Sequence, residues 1–112
     1  MQFDLWIPGK PHPKERVRVT KGGQAYTPRR SVAAEQDVLL AYMAAGGPEF
    51  SGAIGLDLEF THEGTQISIW DEEWQSPLRG DLDNYIKTML DGLQGAAFKN
   101  DRAVVKLDAR KS

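Results

Sequence analysis

Polar and apolar residues alternate from Gln2 to Ile7, with Phe3, Leu5 and Ile7 on one side and Gln2, Asp4 and Trp6 on the other. Period two of this kind predicts a half-buried strand, ended by Pro8-Gly9. The same signature returns from residue 54 to 60, where Ile54, Leu56, Leu58 and Phe60 are expected to be buried and Asp57 and Glu59 to face away. A helical spacing then takes over: Leu82, Tyr85, Ile86, Met89, Leu90 and Leu93 fall at i, i+3, i+4, i+7, i+8 and i+11, one apolar stripe on a helix. Gly92 and Gly95 mark its end. An earlier helix is expected after Thr27-Pro28, a hydroxyl N-cap followed by proline at the first helical position. It should run to about Ala45, before Gly46-Gly47-Pro48, with Val32, Val38, Leu39, Tyr42 and Met43 among its apolar positions. Val104, Val105 and Leu107 predict a last strand. Residues 62–80 hold no sustained period, which predicts a long loop or an extra hairpin. The order β-α-β-β-α-β predicts an α+β fold with two helices packed on a mixed sheet.

Length and composition narrow the function. At 112 residues the chain has room for one modest core, so a single small domain spanning 1–112 is expected. No apolar run approaches the ~20 residues of a spanning helix, and the start lacks a basic region before an apolar one, so a cytoplasmic protein is expected. There are no cysteines and only two histidines, His12 and His62. Thiolate chemistry and histidine metal clusters are thereby excluded, and any metal must be a hard cation held by carboxylates.

The net charge of −2 conceals a segregated distribution. Residues 1–30 carry Lys10, Lys14, Arg16, Arg18, Lys21, Arg29 and Arg30 against Asp4 and Glu15, which is +5. Residues 31–98 total −10, and residues 99–112 return to +3. A polyanion responds to the local field, so a basic arm serves a chain of acidic pI. Within the arm, period two places Lys14, Arg16 and Arg18 on one face of an extended ribbon. Arg29 and Arg30 open a helix, where the dipole disfavours cations, and a bound anion would explain them as well as surface tolerance does.

The densest chemistry lies at Gly80-Asp81-Leu82-Asp83-Asn84. One acid suffices to cap a helix, whereas Asp81, Asp83 and Asn84 offer three oxygen-bearing side chains. Carboxylates at i and i+2 converge only at a cap, where the first residue lies outside helical φ/ψ, and there they could share a divalent ion. An EF-hand is ruled out, because Ile86 stands where its glycine belongs and Gly92 where its bidentate glutamate belongs. Asp83, Lys87 and Asp91 recur every four residues, either as an ion-pair ladder or with Lys87 placed to hold a phosphate oxygen. Asp101 could fold back as a third carboxylate, completing a Mg²⁺ site.

The run Gly80-Asp-Leu-Asp-Asn-Tyr-Ile-Lys-Thr-Met-Leu-Asp-Gly-Leu, with Asn100-Asp101 and Val104-Val105 downstream, resembles the RusA-type Holliday junction resolvases, endodeoxyribonucleases common in phages and prophages. The Pro-Gly after the first strand, Lys14-Glu-Arg-Val-Arg-Val and Ala25-Tyr26-Thr27-Pro28 agree with it. The resemblance implies a RusA-like fold, with Asp81, Asp83 and Asp101 as metal-binding catalytic carboxylates and Lys87 as the catalytic lysine. Asn84 and Asp91 match as supporting residues.

The expected function is a Mg²⁺-dependent nuclease, with Mn²⁺ as a substitute, that resolves four-way DNA by paired symmetric nicks in recombination, repair or phage DNA processing. Lys14, Arg16, Arg18, Arg29 and Arg30 are the expected contacts to the DNA backbone. Paired cuts on a junction of near two-fold symmetry call for a homodimer. Clustered acids would repel, so Mg²⁺ should raise the melting temperature and Asp83→Asn should stabilise the metal-free protein. The alternatives are a non-catalytic DNA-binding module of phage origin, with the aspartates only as caps, and a phage interaction protein whose acidic middle meets a basic partner.

Overall fold

The computed structural model describes residues 1–112, which form two compact units, Met1–Glu73 and Trp74–Ser112. The first unit is built on a three-stranded sheet of order β1-β5-β4, with β1 at Gln2–Pro8, β4 at Ile54–Phe60 and β5 at Gly64–Asp71. The central strand thus comes from the segment without a clear sequence period. Thr65, Ile67 and Ile69 do alternate there, but Gln66, Ser68 and Trp70 weaken the contrast. Residues 61–63 join β4 to β5, and a connection this short permits only antiparallel pairing. β1 also pairs antiparallel with β5, so the sheet is antiparallel throughout rather than mixed.

Register puts Phe3, Leu5 and Ile7 beside Ile69, Ile67 and Thr65, and these beside Leu56, Leu58 and Phe60, so one face is apolar. Ile67, at its centre, is the buried hydrophobic residue of the chain, 9% exposed. The β4 side of that face is open: Ile54, Leu56, Leu58 and Phe60, expected to be buried, are 41–64% exposed. Helix α1 (Arg29–Ala44) lies against β1, with the Tyr42 ring edge-on to Phe3 at 5.3 Å. Its inward residues are small, Ser31, Ala34 and Ala41, beside Tyr42, whereas Val32, Val38, Leu39 and Met43 are exposed. The cap also differs from expectation. Pro28 occupies the N-cap position and no side chain caps the helix.

On the opposite sheet face the Trp70 ring lies across Gly55, where any Cβ would collide with it. Its Nε1 donates to Glu72 at 2.6 Å. In the adjoining row Ser68 Oγ donates to Asp4 at 2.6 Å and Gln2 adds a second bond at 3.3 Å. These bonds, the Ser68 one foremost, hold the Asp4 carboxyl below its usual 3.8. A depressed carboxyl contributes stability above its unfolded pKa and loses it as pH falls through the folded value. Ser68→Ala should therefore raise the Asp4 pKa toward 3.8, read by NMR titration, and narrow the difference between neutral and acid stability.

A second, two-stranded sheet pairs β2 (Arg18–Val19) with β3 (Ala25–Tyr26). Its turn closes through Gly23, whose N–H donates to the Thr20 carbonyl at φ 83°, the left-handed region that glycine enters without penalty.

The unit from Trp74 to Ser112 contains α2 (Leu82–Leu93) and a 3₁₀ turn at Asp101–Ala103. The last strand expected at Val104–Leu107 is absent, and Val105 is 95% exposed. Two consecutive valines break strict alternation, and no strand pairs with the segment; side-chain bonds tie the chain further along, at Lys111. Trp74 Nε1 donates to the Lys111 carbonyl at 2.8 Å, and Lys111 Nζ donates to the carbonyls of Gly80 at 3.1 Å and Leu78 at 3.4 Å. The apolar stripe of α2 lies where the spacing puts it, yet none of its residues is buried. Both helices and the sheet make the fold α+β.

Candidate active site at the head of α2

Asp81 occupies the N-cap of α2 with extended φ/ψ of −70° and 141°. Its carbonyl accepts from Asn84 N–H at 3.1 Å and Tyr85 N–H at 3.3 Å, so the backbone starts the helix. Its carboxylate makes no capping bond. Capping, the structural explanation for this acid, is therefore not its role here. Asp83 is the acid of the first turn, where it complements the helix dipole.

The ladder of charges down the helix is likewise unused, since Asp83, Lys87 and Asp91 enter none of the ion pairs of the structure. Asn84 contributes its carbonyl, which accepts from Thr88 Oγ1 at 3.3 Å. Asp101 opens the 3₁₀ turn, which Asn100 caps by accepting the Arg102 N–H at 2.9 Å.

Three residues that shape the helix start are absent from the sequence-derived site. The Tyr85 hydroxyl accepts the Gly80 N–H at 3.1 Å, and a Cβ at Gly80 would come within 2.7 Å of that ring. Lys111 adds its bond to the Gly80 carbonyl. A spacing of five between a glycine and an aromatic carries no general signal, so only the structure discloses this bracing of the Asp81 backbone.

The expected metal cluster is not assembled. No group of three or more histidine, cysteine, aspartate or glutamate side chains is arranged to hold a metal ion. Asp81 and Asp83 lie at the helix start and Asp101 in a separate turn, and the three do not meet around a shared position. Their oxygens are the right donors for a hard cation, but their arrangement does not fit one.

The five basic residues expected to contact DNA lie in the first unit. Lys14 pairs with Glu35 of α1 at 2.8 Å, and Arg18 with Glu15 at 3.2 Å. Arg16, Arg29 and Arg30 are exposed and enter no ion pair. Regular strand structure covers only Arg18–Val19 of the ribbon.

A family model described as endodeoxyribonuclease RusA matches residues 8–112, all but the first seven residues of the chain. The chain belongs to the RusA endodeoxyribonuclease family. Comparison with curated proteins and with solved structures finds no match. As a RusA-family protein the chain is a hydrolase acting on DNA, a junction-resolving endonuclease whose partner is branched DNA. RusA-type nucleases typically use a divalent metal. No helix is long and apolar enough to cross a membrane.

Proposed function

We propose that this RusA-family chain is a Mg²⁺-dependent resolvase, with Mn²⁺ as a substitute, that cuts four-way junctions by paired symmetric nicks. It would work as a cytoplasmic homodimer in recombination, repair or phage DNA processing. The observation that carries the reading is the set of acids and the lysine at the head of α2, Asp81, Asp83 and Lys87, that neither cap the helix nor pair with one another. Beyond the modest dipole contribution of Asp83, these three charged groups within two helical turns are not used in caps or ion pairs, which supports their being kept for a ligand.

Lys87, one turn below Asp83, is the proposed catalytic cation, set to neutralise charge gathering on the scissile phosphate. Asn84 and Asp91 order its surroundings. Asp81, Asp83 and Asp101 are the proposed Mg²⁺ ligands on the strength of the motif and of their hard oxygens. Lys14, Arg16, Arg18, Arg29 and Arg30 grip the DNA backbone, which fixes register without reading sequence. The family match spans both compact units, which supports their operating as one nuclease domain. Two copies place two sites on a two-fold substrate.

The test is nicking of a synthetic four-way junction and of linear duplex, with Mg²⁺ and with EDTA. Paired nicks in the junction that need Mg²⁺ are expected. Binding in EDTA with no metal-dependent nicking at any concentration would leave the chain a DNA-binding module.

A further inference from the structure

Ser31, in the first turn of α1, is 1% exposed, against 9% for Ile67. A hydroxyl so deeply placed is held by its bonds rather than by apolar packing. Its Oγ accepts the Glu15 backbone N–H at 2.8 Å and lies 3.4 Å from His12 Nε2. His12 Nε2 in turn stands 3.5 Å from Glu15 Oε1, and Glu15 Oε2 takes Arg18 Nη2 at 3.2 Å. One turn along α1, Glu35 holds Lys14. The same residues border a half-open cleft of about 120 Å³ lined by His12, Lys14, Ser31, Ala34, Glu35 and Val38. Residues 12–15 are thus fastened to α1 by polar contacts, and Arg18 to Glu15, with Ser31 the one fully buried member. Lys14 is paired to α1 and Arg18 to Glu15 of its own segment, whereas Arg16 between them is left without an ion-pair partner.

We propose that Ser31 is a positioning residue for the nuclease reaction: through Glu15 and His12 it holds the 12–18 segment on α1 so that Arg16 meets the DNA backbone. The inference rests on the reading of that segment as a DNA contact. Loss of Oγ leaves the Glu15 N–H unpaired and frees the ribbon, so the cation is no longer set in advance and its contact is diluted by chain entropy. The effect falls on KM and on junction affinity rather than on kcat.

The experiment is a double-mutant cycle on junction affinity across a salt series, with Ser31→Ala, Arg16→Ala and the pair, and thermal melting of each. Arg16→Ala is expected to weaken binding and reduce the salt slope by about one. Ser31→Ala is expected to weaken binding roughly three- to tenfold, and the pair to be little weaker than the stronger single variant, because Ser31 acts through Arg16. Additive losses, or unchanged affinity in Ser31→Ala while Arg16→Ala binds poorly, would overturn the positioning role alone. Unchanged affinity in Arg16→Ala would overturn the ribbon as a DNA contact and this inference with it. Should Ser31→Ala fail to fold, His12→Ala, at a partly exposed position, serves in the same cycle, where additivity again refutes the proposal.

Discussion

Asp83→Asn is expected to lower junction cleavage about 10³-fold or more while leaving junction binding intact, because the change removes one negative charge at the head of α2 and almost nothing else. The two side chains are nearly isosteric, and Asp83 enters no ion pair. What the fold loses is the favourable position of an anion in the first helical turn, about 0.3–1 kcal/mol. The metal-free variant should therefore melt slightly below the wild type. A carboxylate cluster would give the opposite sign, stabilisation by relief of repulsion, but the three acids are not gathered into one ion-holding group. A second readout separates ligand from cap. Mg²⁺ should raise the wild-type melting temperature, and the rise should shrink in Asp83→Asn and in Asp101→Asn alike if both acids reach the ion. Loss of the rise in Asp83→Asn with full retention in Asp101→Asn would remove Asp101 from the metal site. Wild-type cleavage by Asp83→Asn would refute the catalytic assignment.

Elements whose evidence lies in their own residues were legible in the sequence, and those that depend on a partner were not. The strand at the start, the strand from Ile54 and the helix from Leu82 each carry a complete period within a single segment, and each appears with boundaries within a residue of expectation. The central strand β5 escaped because Gln66, Ser68 and Trp70 share its outward face, and Trp70 there is set by Gly55 of a neighbouring strand. Val104–Leu107 looks like a strand by composition, but strands exist by pairing, and no partner strand lies beside it. In α1 the large apolar residues are misleading, since the inward positions go to the small Ser31, Ala34 and Ala41, the first two facing His12 and Lys14. Site residues divide the same way. The motif located Asp81, Asp83 and Lys87 on one helix, where position follows from spacing. The meeting of Asp101 with them depends on the path of residues 94–100, which no local pattern specifies. The bracing of Gly80 by Tyr85 is a contact across the helix start that becomes visible only in three dimensions.

Lys87→Ala should cut kcat by roughly 10²- to 10³-fold, the usual cost of removing a charge or donor aimed at a developing anion. The competing account of this lysine is structural, a ladder in which Asp83 and Asp91 each pair with it across one turn. That account requires a stability loss of about 0.3–0.5 kcal/mol per pair that fades as salt is added. No such pairs form, and alanine is the better helix former, so the variant should melt at or slightly above the wild-type temperature at any ionic strength. The two accounts therefore differ in the sign of the stability change as well as in the rate. Lys87→Arg sharpens the distinction, since it keeps the charge but replaces a compact ammonium with a longer planar group. A cation needed for the helix alone would be replaced without loss. One placed against a phosphate oxygen would recover part of the rate, at a position displaced by the extra length, with junction affinity unchanged. A salt-dependent drop in melting temperature together with unchanged cleavage in Lys87→Ala would return the residue to the surface of an ordinary helix.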